Sequence, residues 1–223
     1  MRTQEVRCFA DALDIDPDDI EVLDLLNQWP SAAQLARHDA VFIGGSGHYS
    51  AVGKEPWLDF ALDVMRLIHD QKKPTFASCW GFQAFSRAMG GQVVKDSDMA
   101  EVGTNRVTLT DVGRNDPIFA PSGESFLAPM GHEYSVTRIP ADAILLASTQ
   151  RCPNQALRFV DRPIYATQFH PELTTDRLLE RIRIYPEYIE RITGIAYDDF
   201  VKDCHSVAQA NAILPRFANH VLG

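Results

Sequence analysis

What this sequence lacks narrows its class. No apolar run approaches the roughly 20 residues that a membrane-spanning helix needs. Cysteines number only four, Cys8, Cys79, Cys152 and Cys204, and none forms a Cys-x-x-Cys pair. That spacing disfavours a zinc site and a disulfide framework, so a reduced, cytoplasmic protein without a bound metal is expected. The opening stretch MRTQEVRCFADALD has no signal-peptide apolar region, in line with that expectation. Basic residues are neither abundant nor clustered: 21 Lys and Arg stand against 30 Asp and Glu, a formal charge of −9. A nucleic acid or an anionic membrane is therefore disfavoured as main partner, because both select a basic surface. Internal repeats, low-complexity tracts and Gly/Ser/Pro-rich linkers are missing. So is a Gly-x-x-x-x-Gly-Lys-Ser/Thr phosphate loop, so no ATP site or other cofactor is expected. Cys204-His205 is an isolated pair in a polar stretch and is read as surface.

What is there suits one globular domain over 1–223, since 45% of its residues are apolar. EVRCFADALDI carries apolar residues at Val6, Phe9, Ala10 and Leu13, a helical spacing. DIEVLDLLN (19–27) reads as a strand. DAVFIGG (39–45) reads as a buried strand that enters a glycine loop. Pro56 opens a helix with an apolar stripe, and Pro74 follows its end. TFASC reads as the next buried strand and GFQAFSRAM as the next helix, with Gly90-Gly91 closing it. VTLT, SVTRI, AILLAS, ALRFV and PIYATQF are short, β-branched and separated by turn residues. After His170 the pattern is helical again, interrupted at Pro186, over about 174–223. The order predicts a three-layer α/β fold with a mostly parallel central sheet, helices on its faces and an antiparallel extension.

Three stretches bear chemistry. Cys79 stands where strand TFASC meets helix WGFQAF. A tight strand-to-helix turn presents its apical side chain at the C-terminal edge of a sheet, as the Gly-x-Ser-x-Gly turn presents a hydroxyl. Gly81 relieves crowding on one side of that turn, and Ala77 does so less fully. The helix N-terminus behind Cys79 favours negative charge and offers a backbone N–H to an oxyanion. An inert buried thiol is the competing reading, and the turn makes the two about equal. In QFHPE (168–172), His170 and Glu172 project to one side of an extended backbone, so the carboxylate can orient the imidazole. A solvated His-Pro turn is the plainer reading. FIGGSGHYS (42–50) follows a strand, and its glycines allow close backbone approach to a bound group. His48 there is read as a loop residue.

Together these stretches resemble the class I glutamine amidotransferases of the Cys-His-Glu type. The likeness rests on the glycine loop 44–47, Cys79-Trp80-Gly81-Phe82-Gln83, Glu101-Val102-Gly103, Met130-Gly131-His132-Glu133 and Gln168-Phe169-His170-Pro171-Glu172, in the family's order over most of the chain. The nearest group is the free-standing domains similar to the amidotransferase part of GMP synthase. The resemblance implies a flavodoxin-like fold. It implies Cys79 as nucleophile, His170 as proton carrier and Glu172 as its orienter. The N–H groups of Gly45 and Trp80 are implied as the oxyanion hole. Gly44, Ser46, Gln83, Gly131 and His132 are implied as contacts to glutamine. Glutamate and ammonia are the implied products, through a γ-glutamyl thioester. With no ATP site here, any ammonia acceptor and its synthetase must belong to another chain.

The pattern departs from the family in three places. Ala77 replaces the elbow's usual first glycine, which bears on how the turn closes. The family opens with an apolar strand, whereas this sequence opens on the helix, so the true start is expected upstream. Residues 174–204 extend past the family core and are read as surface helices rather than a lid or partner surface. Two other functions share the scaffold. A γ-glutamyl hydrolase would need a wider pocket around 46–54 and 131–135. An inactive binding or regulatory module would have little use for Cys79, His170 and Glu172 together.

Overall fold

The computed structural model describes residues 2–184 and 186–223; Met1, where the sequence opens, and Tyr185, in the C-terminal helical stretch, lie outside the described residues. The chain runs through α1 (Arg2–Leu13), α2 (Ala32–Leu35), β1 (Val41–Ile43), α3 (Pro56–Asp70), β2 (Thr75–Ser78), α4 (Trp80–Ala88) and β3 (Gln92–Lys95). It continues through β4 (Glu101–Leu109), β5 (Ser125–His132), β6 (Tyr134–Arg138), β7 (Ala143–Ser148), β8 (Ala156–Phe159) and β9 (Ile164–Thr167). It ends in α5 (Thr175–Ile182), α6 (Pro186–Thr193), α7 (Tyr197–Asp203), α8 (Ala208–Asn211) and α9 (Ile213–Leu222).

The main sheet has the order β1-β2-β9-β8-β7-β4-β5, and β3 pairs with β6 in a second, two-stranded sheet. The fold is the expected α/β arrangement. Its parallel centre is β1-β2-β9. The extension is larger than the sequence suggested, because β9-β8, β8-β7, β7-β4 and β4-β5 all pair antiparallel. Short loops join β7, β8 and β9, and a short loop can only return the chain antiparallel.

Strand alternation divides the core into two faces. On one side Ile43, Ala77, Ile164 and Ala166 pack against Leu58 and Met65 of α3 and Phe82 and Phe85 of α4. On the other, Phe76 and Tyr165 meet Phe9 of α1 and Ile213, Leu214 and Phe217 of α9. Helix α3 forms because Pro56 pre-sets its first turn and its apolar stripe, Leu58, Ala61, Leu62, Met65 and Ile68, is buried. A third, smaller cluster joins Cys8 and Val102 to Leu173, Leu178, Ile182, Ile189 and Phe200, which holds α5–α7 over the start of β4. As expected, the helical pattern breaks before Pro186, between α5 and α6.

One element is corrected. DIEVLDLLN is not a strand. The Asp16 carboxylate caps a 3₁₀ turn over Pro17–Asp19, and Asp24 folds the next residues into a turn by accepting from the Leu26 N–H at 3.1 Å. Its apolar residues are used one at a time, Ile20 against one face of the core and Leu25 against the other. Among the described residues, no helix is long and apolar enough to cross a membrane.

Candidate active site

The site begins at the end of β2. Cys79 has φ 51° and ψ −102°, in the sparsely populated region that a nucleophile elbow occupies. β2 runs into it without a bulge, paired on both sides, so Ala77 does not disturb the turn. Gly81 is required: a Cβ there would stand 2.8 Å from both the Ile43 carbonyl oxygen and its Cγ2. The missing side chain lets α4 sit directly on β1. The first N–H groups of α4, Trp80 included, have no acceptor within the helix. The Trp80 side chain is a core aromatic, buried with its ring 6.1 Å from that of Trp57.

β2 and β9 are parallel and pair Ser78 with Thr167, which brings the two strand ends together. The Cys79 N–H donates to the Thr167 carbonyl at 2.8 Å. Three residues beyond β9, the His170 N–H donates to the Pro129 carbonyl of β5 at 2.9 Å, fixing where the ring begins. Its Nδ1 donates to Glu172 Oε1 at 2.5 Å, and both side chains are buried. The ring and Cys79 both border the space beside Gly45. Burial opposes charge on the ring, but the Glu172 carboxylate and then Cys79 outweigh it and push the His170 pKa up to about 10. Burial likewise opposes charge on Glu172, but His170, aided by Arg181, holds its pKa below the ordinary carboxylate value. The pair is thus an imidazolium facing a carboxylate.

Gly45 closes the third side. A Cβ built on it would lie 2.7 Å from His170 Cε1 and 3.4 Å from Cys79 Cβ, so only glycine fits against the pair. Its N–H donates at 2.9 Å to Glu5 of α1, a contact that no sequence motif announces. The neighbouring Ser46 hydroxyl accepts from the Tyr49 N–H and tightens the loop, while His48 is exposed.

The other expected contacts lie on α4 and β5. Gln83, one turn into α4, is buried and gives its amide nitrogen to the Tyr134 carbonyl at 3.0 Å and to Gln168 Oε1 at 3.1 Å. The His132 ring is buried between the Tyr134 carbonyl and Glu101, which also accepts from Gln155 at 2.5 Å. Gly131 faces open space. Two positioning residues went unread in the sequence. Ser78 donates its hydroxyl to Glu172 Oε1 at 3.2 Å. Asn211 of α8 donates to the carbonyls of Pro171 and Leu173 at 2.9 and 2.8 Å, pinning the loop that carries Glu172. The adjacency of Ser78 to the nucleophile was a signal for the first. Nothing in the sequence signalled the second.

This geometry can be set beside known proteins. The pattern of the family "glutamine amidotransferase class-I" matches residues 14–181. The chain belongs to that family. Among curated relatives of this amidotransferase, the GMP synthase (glutamine-hydrolyzing) of Pseudomonas aeruginosa strain LESB58 is 34% identical over 134 residues, 58% of this chain and 25% of that protein. The enzyme of the same name from Christiangramia forsetii is 38% identical over 117 residues, 51% of this chain and 22% of its own. The chain therefore spans about a quarter of the length of these relatives. Among solved structures, a glutamine amidotransferase from Thermotoga maritima superposes with a TM-score of 0.67 at 18% identity, covering 84% of this chain and 80% of that one. A glutamine amidotransferase from Methylobacillus flagellatus reaches 0.72 at 20% identity, over 96% and 88%. The structural likenesses establish the amidotransferase fold.

Proposed function

We propose that this amidotransferase hydrolyses the side-chain amide of glutamine with Cys79 as nucleophile. The observation that carries the reading is the strained elbow that holds Cys79 against the His170–Glu172 pair, with Gly45 closing the third side. In the proposed reaction, Cys79 Sγ attacks the amide carbon as a thiolate beside the His170 imidazolium, and the carbonyl oxygen becomes an oxyanion. The N–H groups of Gly45 and Trp80 receive that charge. The C–N bond breaks as His170 passes its proton to the leaving nitrogen, which departs as ammonia. His170, now neutral, takes a proton from water as it attacks the γ-glutamyl thioester. Glutamate leaves, and the Cys79 thiolate and the His170 imidazolium are restored. Glu172 keeps the imidazole oriented through Nδ1 and stabilises its charged form. In this reading Gly44, Ser46, Gln83, Gly131 and the backbone at His132 hold the glutamine substrate.

The same reading assigns 1–223 to one amidotransferase domain with a helical extension over about 174–223. It places the protein in the cytoplasm, where the free thiols Cys8, Cys79, Cys152 and Cys204 stay reduced. The ammonia goes to a synthetase chain in trans, because the relatives named GMP synthase are about four times as long as the stretch they share with this chain. The test is release of labelled ammonia from amide-labelled glutamine. Wild-type protein should form glutamate and ammonia in equal amounts, and Cys79→Ala should form neither. Equal release from both proteins would remove Cys79 from the reaction.

A further inference from the structure

The donor assigned to the oxyanion is already in use. Gly45, whose missing side chain would abut His170 and Cys79, donates its N–H at 2.9 Å to Glu5 Oε1. Glu5 reaches it from α1, forty residues away in sequence, and lies before the stretch that the family pattern matches. Its carboxylate also lies so close to Gly44 that any side chain at that position would collide with it. A backbone N–H that holds one carboxylate cannot also take the charge of a tetrahedral intermediate, and two anions on one donor repel.

Glu5 has somewhere else to go. Arg181 of α5 is its principal counter-charge. Arg181 Nη2 is buried and has no hydrogen-bond partner, while its Nε donates to Gln4 Oε1 at 3.4 Å. A buried guanidinium donor without an acceptor is costly, so it offers a second seat for a carboxylate. Burial raises the Glu5 pKa above the ordinary carboxylate value, Arg181 opposes that, and the Glu172 carboxylate adds to it, so the present seat is not a comfortable one for an anion. His170 also faces it, and Cys8 stands one turn along its own helix. Glu5 is only partly buried, at the edge of the core.

We infer that Glu5 is the gate of the oxyanion site: its carboxylate rests on the Gly45 N–H and must swing to Arg181 before the site can hold a tetrahedral intermediate. The inference rests on the proposed role of Gly45 but not on glutamine being the substrate. Glu5 is a positioning residue that governs a catalytic donor, and its removal speeds acyl transfer.

Two probes without any glutamine portion separate the gate from the thiol. p-Nitrophenyl acetate acylates Cys79 through an oxyanion, whereas iodoacetamide alkylates it by displacement with none. The rates, corrected with Cys79→Ala, give a ratio that reads the oxyanion site alone. Glu5→Ala should raise that ratio about tenfold, the worth of one charge-assisted hydrogen bond. Glu5→Gln keeps the shape of the side chain and should raise it less, which preserves the comparison if the shorter side chain disturbs α1. Arg181→Gln, with Glu5 present, should lower it. A ratio unchanged or reduced in both Glu5 variants would overturn the gate and make Glu5 a prop for the glycine loop. An unchanged ratio in Arg181→Gln would overturn the second seat. Glutamine hydrolysis failing while the ratio still rises would sink the substrate assignment and leave the gate standing.

Discussion

Cys79 holds a backbone conformation that costs a non-glycine residue about 1–3 kcal/mol. The fold tolerates it because the Cys79 N–H is fixed on Thr167 and α4 is clamped on β1 through Gly81. The same economy of contacts governs Glu172. Its Oε1 accepts from both His170 and Ser78, so the hydroxyl fixes the carboxylate before the carboxylate fixes the imidazole. Ser78→Ala should therefore lower kcat about tenfold with little change in KM, as expected for a lost hydrogen bond to a charged group that acts only through His170. Steady-state kinetics on glutamine decides it, and an unchanged kcat would remove Ser78 from the positioning chain.

At the scale of elements, the strands and helices that carry the triad could be read directly. β1, β2 and β9 are short apolar runs, and Gly44-Gly45, Gly81 and Pro74 punctuate them. Elements far from that pattern were harder to read. β5 was missed because SFLAPMGH contains Pro129 and Gly131, yet it is an edge strand, where a proline removes no needed donor. DIEVLDLLN looked like a strand because its apolar residues are close together, but Asp16 and Asp24 spend their side chains on turns. Cys79, His170, Glu172 and Gly45 were legible as a constellation since each ends or follows a strand. Glu5 and Asn211 were not, because their contacts join parts of the chain 40 residues apart and exist only after folding. The packing of α4 on β1 gives a prediction at this scale. Gly81→Ala drives a Cβ into the Ile43 carbonyl, which is backbone and cannot yield. Its urea midpoint should fall, with a loss of roughly 1–3 kcal/mol and an unchanged m-value. A midpoint equal to wild type would show that α4 does not need the close approach.

For the whole molecule, the buried imidazolium–carboxylate pair ties stability to pH. The His170 pKa is raised from its ordinary 6.5 to about 10, so the native state binds a proton that the unfolded chain gives up first. Its contribution is complete below 6.5 and is lost as pH rises through about 10. Glu172 is lowered from 4.5, so its contribution is present above 4.5 and is lost as pH falls below that. Wild type should lose more stability than His170→Ala between roughly pH 6 and pH 9, measured by urea unfolding at each. Equal losses in the two proteins would mean that the ring is neutral in the folded state.

The central claim is that Cys79 is a nucleophile in a pocket shaped for glutamine. Its most direct test is labelling with a chloromethyl ketone analogue of glutamine, followed by peptide mass mapping with and without excess glutamine. The account predicts a single modification on Cys79 that glutamine suppresses, leaving Cys8, Cys152 and Cys204 untouched. Folded protein that stays unlabelled at Cys79, or labelling that glutamine does not slow, would contradict it.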